Sequence, residues 1–120
     1  PHNGYGPNKF LRDAKNKNYI SIFGNGEEQR DHIWINDLSK LIHKMLFKNI
    51  YGEFNLVSGR LISFLKLAKI VSKKYGSEIL RIKRKGKMPH NGYRPISNKK
   101  IKKYFPRFKF SKFENVINKC

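Results

Sequence analysis

Cysteine is nearly absent: the only one in 120 residues is Cys120, the last residue, so no disulfide framework can form within the chain. No apolar run approaches the ~18 residues that a membrane span needs. No charged-then-apolar leader opens the sequence. These absences set the expectations of a reducing cytoplasm and no membrane partner. Acidic residues are scarce too, at eight against 27 Lys and Arg, which gives a formal charge of +19. Alanine occurs only twice, beside 20 Lys, 12 Asn and 13 Ile, the skew that an AT-rich genome writes into any protein. Lys outnumbers Arg 20 to 7, although Arg is the better tool for bidentate phosphate or base recognition. The charge is therefore read first as a surface property, and nucleic acid is the less favoured partner. With 38% apolar and 13% aromatic residues the chain is no disordered tail. Its length suits a single domain with one modest core.

What is present is periodic. Leu38, Leu41, Ile42, Met45 and Leu46 recur at helical spacing, with Asp37 placed to cap them. Phe64, Leu67, Ala68 and Val71 form a second stripe, between Ser63 as cap and Gly76 as the stop. Shorter helices are expected over residues 8–16, 97–104 and 111–118, the last opened by a capping box of Ser111 and Glu114. β-branched and aromatic runs predict strands at 20–23, 32–35, 53–57 and 79–83. Helices alternating with strands indicate an α/β fold with a small sheet. The two main stripes carry more apolar surface than four short strands cover. At ~1.5–3 kcal/mol per large buried side chain, this predicts a covering partner, either more of the same chain or another subunit.

Several catalytic spellings fail on inspection. Gly24-Asn25-Gly26 opens like a dinucleotide fingerprint, but Gln29 stands at the third glycine position and a strand follows instead of a helix. Tyr5 and Lys9 have Tyr-x-x-x-Lys spacing, yet Pro7 between them breaks the helix that such a dyad requires. His2, His32, His43 and His90 have no Cys or carboxylate at metal-ligand spacing. No catalytic, cofactor-binding or metal-ligating residue is expected. Residues 1–7 (PHNGYGP) and 89–95 (PHNGYRP) nearly repeat, but their flanks do not, which excludes a repeat architecture.

The most informative stretch runs from Gly24 to Leu38. A glycine turn leaves a strand, and Arg30 precedes a further strand and a helix. Glycines let backbone approach a ligand, and an Arg at a strand edge suits a diphosphate. Equally, the same residues describe a surface hairpin in which Arg30 pairs with Asp31 or Glu28.

Ile20 to Gly26, followed by Gln29-Arg30-Asp31-His32-Ile33-Trp34-Ile35-Asn36-Asp37-Leu38, resembles the C-terminal half of the NAD-dependent epimerase/dehydratases. These are the extended short-chain dehydrogenase/reductases that act on nucleotide sugars. Asn3-Gly4-Tyr5-Gly6-Pro7 is similar to that family's Asn-Val-Tyr-Gly-Pro turn, with Gly4 in place of the usual Val. Residues 52–59 resemble its Gly-x-x-x-Asn-x-x-x-Gly strand. Tyr93-Arg94-Pro95, with residues 98–106, is similar to its closing region. The Arg-Asp-x-Ile-x-x-x-Asp-Leu element is the more specific of these matches.

The resemblance implies the C-terminal fragment of an extended Rossmann-type dehydrogenase, residues 1–120 forming one partial domain: the last sheet elements plus a substrate-binding lobe. The N-terminal half, with its NAD-binding fingerprint and catalytic Tyr and Lys, is expected to be absent. By the same resemblance Arg30 binds the diphosphate of a nucleotide sugar, and Arg94 does so as well. Asn3 lies near that diphosphate, and Phe23 lies beside the base. NAD(P) would belong to the complete enzyme, and this piece alone is expected to bind none and to be inactive. The alternatives are a stand-alone basic nucleic-acid-binding domain or an inactive remnant. From residue 79 to 113 there are 13 Lys or Arg and no acid, far more than one diphosphate requires.

Overall fold

A computed structural model describes residues 6–120. Pro7 opens helix α1 (Pro7–Lys17), where its fixed φ suits the first turn and its missing N–H has no helical partner to lose. The helix ends at Asn18 in the left-handed region. Strand β1 (Tyr19–Phe23) follows and alternates, burying Ile20 and Ile22. Gly26 lies in the turn after it at φ +67, where a side chain would meet the Leu65 backbone nitrogen. The Gly26 carbonyl instead accepts a hydrogen bond from that nitrogen at 2.9 Å.

Strand β2 (Gln29–Asp31) leads through residues 32–34 into helix α2 (Ile35–Phe47). Strand β3 (Leu61–Ser63) pairs antiparallel with β2 and runs directly into helix α3 (Phe64–Tyr75). Ser63 caps α3 by accepting from the Lys66 N–H at 3.2 Å, and Gly76 ends it at φ 66. Strand β4 (Glu78–Ile82) returns parallel to β1, in register from Tyr19 opposite Glu78 to Phe23 opposite Ile82. A left-handed turn at Pro89–Gly92 and helices α4 (Lys99–Tyr104) and α5 (Phe113–Ile117) complete the described chain.

The fold is α/β, as expected, with a parallel strand pair. It has two two-stranded sheets among the described residues in place of one small sheet. The first core lies between α1, β1 and α3, where Phe10, Ala14, Ile20, Ile22, Phe64, Leu67, Ala68, Val71 and Ile117 pack together. The second joins Leu41 of α2 to Ile101 and Phe105, with Phe54, Leu56, Phe108 and Phe110 around them. Asp13 is buried on α1 between Lys9 and Lys17. Burial pushes its carboxyl upward, but the two ammonium groups outweigh that and hold it below its ordinary value.

Five sequence expectations change. The strand expected at 32–35 lies at 29–31, because the polar run pairs with β3 while Ile35 already begins α2. Residues 53–57 form no strand, since the Val57 N–H turns back to the Asn55 carbonyl at 3.0 Å and closes a three-residue turn. Asp37 does not cap α2; it sits inside the first turn, and its carboxylate accepts from the Ser111 N–H at 2.6 Å and the Ser111 hydroxyl at 3.1 Å. That same contact removes Ser111 from capping α5, whose N-cap is Lys112. The expected α2 stripe is split: Leu41 is buried, whereas Ile42 and Leu46 are 42% and 71% exposed.

Replacing Ser63 with Ala should lower the unfolding free energy by about 1 kcal/mol, the usual worth of a helix N-cap, and Ser63→Asp should restore most of it. Urea denaturation of the three proteins measures this, and equal midpoints would contradict the assigned cap.

Candidate functional site

The site is built where two parallel strands end. Because β1 and β4 pair in register, Phe23 closes one strand beside Ile82, which closes the other. The Gly24 N–H donates to the Ile82 carbonyl at 2.9 Å and ties the two exits together. Two residues beyond Ile82, the Arg84 guanidinium lies over the Phe23 ring, 5.4 Å from its centroid. The carboxyl ends of parallel strands are where open α/β sheets bind ligands.

Glu28 sits between this arginine and Arg30. It is only 6% exposed, and its two carboxylate oxygens are divided: Arg84 donates to one at 2.6 Å, and Arg30 lies 2.6 Å from the other. Arg30 is further held by donating to the Gln29 carbonyl at 2.7 Å and the Pro89 carbonyl at 3.2 Å. Two guanidiniums and an aromatic face therefore converge on one surface. The hairpin reading of Arg30 is present in its Glu28 form, with Arg84 added. Neither arginine lines the cleft of about 540 Å³ beside α1 or the groove of about 780 Å³ beside α2.

The other motif acids have different tasks. Asp31 accepts from the Ser58 hydroxyl at 2.8 Å and from the N–H groups of Ser58, Gly59 and Arg60. It thereby fixes residues 58–60 and the start of β3. Asp37 fixes Ser111, as described above.

The structure brings Phe23 and Arg30 to one surface, and both flank Glu28 and Arg84. Arg94 is exposed, with Nη1 3.2 Å from His90 Nε2. It is linked to Arg30 only through the turn that begins at Pro89. In that turn His90, Asn91 and Gly92 all have positive φ, and a bridge between Gln29 and Tyr93 holds it against β2. Asn3 lies outside the described residues. Glu28 and Arg84 were missed as site residues. The signal that could have found Arg84 is the parallel register of β1 and β4, which sequence periodicity does not carry.

Among the described residues no glycine-rich turn leads from a strand into a helix: the Gly24–Gly26 turn leads into β2, and β3 enters α3 without a glycine. They contain no cluster of three His, Cys, Asp or Glu side chains that could hold a metal ion. No helix among them is long and apolar enough to cross a membrane.

No protein-family model matches the sequence, and no curated protein does. Solved structures do match in fold. A NAD-dependent NDP-hexosamine 5,6-dehydratase of tunicamycin biosynthesis is 16% identical over 96% of this chain and 39% of its own, with a TM-score of 0.78. The epimerase Mth375 of Methanothermobacter thermautotrophicus is 18% identical over 98% of this chain and 36% of its own, at 0.76. The dTDP-glucose 4,6-dehydratase of Bacillus anthracis, solved with NAD, is 17% identical over 94% of this chain and 36% of its own, at 0.75. The chain thus spans well under half the length of these proteins. Over most of its length the chain shares the α/β fold of part of these enzymes.

His32, next to Asp31, gives a pH test of this region. Burial lowers its pKa from the ordinary value of 6.5, against the pull of Asp31 and with a further push from Arg30. Its buried Nε2 has no hydrogen-bond partner among the described residues. The folded state therefore favours the neutral ring. This contribution to stability is complete above pH 6.5 and is lost as the pH falls below that value toward the lowered pKa. Urea unfolding should show stability dropping with pH in that window, with a shallower drop for His32→Gln. Identical slopes would refute the lowered pKa of His32.

Proposed function

We propose that this chain is the substrate-binding, C-terminal portion of an NAD-dependent nucleotide-sugar epimerase or dehydratase. The observation that carries the reading is the convergence of Arg30 and Arg84 beside Phe23 at the ends of two parallel strands. A diphosphate offers two anionic groups to two guanidiniums, and Phe23, which already carries the Arg84 guanidinium over its ring, is assigned a place beside the base. Arg94 and Asn3 are assigned supporting contacts with the same diphosphate. The family of the structural neighbours, whose solved members include dehydratases and epimerases, supports this substrate class.

The hydride chemistry belongs, in this reading, to a companion stretch of polypeptide that carries the nicotinamide cofactor. What supports a companion is the uncovered apolar face of α2. Leu46 and Phe47 are 71% and 77% exposed, beside a groove of about 780 Å³ lined by Phe47, Tyr104, Phe105 and Phe108. Exposed apolar surface of this kind marks a contact with another polypeptide. Cytoplasmic location follows from the same reading. The polyanion alternative rests on net charge alone, and a steep dependence of binding on salt would favour it.

Two outcomes test the proposal. Arg30→Ala in the complete enzyme should weaken nucleotide-sugar binding about tenfold or more, the scale of a charge-assisted hydrogen bond. An unchanged dissociation constant by calorimetry would reject the assignment. The 120-residue chain alone should bind no NAD and catalyse no NAD-dependent turnover; activity of the purified chain would overturn the division of labour.

A further inference from the structure

The arginine pair already holds an anion, and that anion belongs to the chain. Glu28 presents one oxygen to each guanidinium, the same bridging that the preceding section assigns to a diphosphate. Its backbone cannot give way. The Phe64 N–H donates to the Glu28 carbonyl at 3.0 Å, and Leu65 holds Gly26 two residues earlier. β2 begins immediately after it. Any exchange at this position therefore falls to the side chain, by rotation about its own torsions.

The arginines, by contrast, are anchored independently of Glu28. Arg30 donates to two backbone carbonyls, and Arg84 rests on the Phe23 ring. If the carboxylate swings out, both guanidiniums keep their places with N–H groups freed. With Glu28 in, the trio carries a net charge of about +1; with it out, the two guanidiniums present about +2 to an incoming anion. A ligand must therefore replace Glu28 or compete with it.

We propose that Glu28 is an internal competitor, a tethered counter-ion that occupies the arginine pair and is exchanged for the phosphates of the ligand. This rests on the reading of Arg30 and Arg84 as an anion-binding pair. It adds that the resting affinity of the pair is set by Glu28. The exchange keeps two cations from facing each other without a counter-charge. It also raises selectivity, because only an anion that engages both guanidiniums together replaces what Glu28 supplies. A monophosphate that reaches one arginine leaves Glu28 on the other and gains little.

Calorimetric titration of the full chain with inorganic pyrophosphate and with inorganic phosphate tests this. Glu28→Gln keeps the shape and removes the charge. It should bind pyrophosphate at least about tenfold more tightly than the parent chain. The parent should prefer pyrophosphate over phosphate by a wider margin than the variant does. Equal or weaker pyrophosphate binding by Glu28→Gln would overturn the proposal and make Glu28 a positioning residue for the arginines. Arg30→Ala and Arg84→Ala separate the two levels. If both leave pyrophosphate binding unchanged, the anion-site reading itself falls. If both abolish it while Glu28→Gln does not tighten it, the site stands and only the competition fails. Should Glu28→Gln not fold, Glu28→Asp keeps the charge one methylene short of the guanidiniums. It should still bind pyrophosphate more tightly than the parent, and equal or weaker binding overturns the proposal equally.

Discussion

Scarcity of carboxylate governs this structure. With 27 basic and eight acidic side chains, few carboxylates are available to tie the chain together. Four of them join segments that are distant or that carry like charge. Asp13 holds Lys9 and Lys17 on α1. Asp31 organises the backbone of 58–60, and Asp37 fastens residue 111 to the start of α2. Glu28 holds two arginines together. A hydrogen bond to a charged group is worth ~1.5–3 kcal/mol, and removing one partner of a buried pair costs more, because the other is left uncompensated. Exposed lysines contribute little in comparison, since water and salt screen them.

The location of the arginine pair follows from topology more than from local sequence. β1 and β4 are separated by some 55 residues that contain β2, α2, β3 and α3. Their parallel pairing brings the ends of both strands to one edge, as a crossover connection requires. Arg84 and Phe23 then meet because each stands at or just past the end of its strand. The same crossover sets β3 against β2, and so brings Ser58 and Gly59 onto Asp31. The tight left-handed turn at His90–Gly92 adds a carbonyl, that of Pro89, to the acceptors of Arg30. Asn and Gly tolerate such φ values easily, which is how a loop this short can reverse beside β2.

Much of this was legible in the residues. α3 has an unmixed signal: an apolar stripe, a serine that caps it and a glycine that stops it, all local. β1 and β4 alternate or are β-rich, and both lie where expected. Arg30 and Phe23 stood out by their motif and do lie on one surface. What could not be read was whatever depends on a distant partner. Asp37 and Ser111 have the residue types of helix caps, and each is diverted by the other across 74 positions of sequence. β3 is three residues long and exists only because β2 is beside it. Glu28 has no distinguishing local pattern, and its importance appears only once Arg84 arrives from the far strand. Asn3, named from its turn motif, lies outside the described residues.

Three of the seven arginines are tied down: Arg60 donates to the carbonyls of Phe110 and Ser111, Arg84 to Glu28, and Arg30 to Glu28 and two carbonyls. A planar fork held in this way loses little further freedom when a second acceptor arrives, which is what directional recognition of a phosphate pair requires. Most lysines from 83 to 112 are exposed instead. Flexible, hydrated ammonium groups raise the local concentration of any anion without selecting its shape. A polyanion would draw mainly on that diffuse field. On the proposed reading, a diphosphate would draw on the two guanidiniums at the ends of β1 and β4, and the surrounding field would speed its arrival.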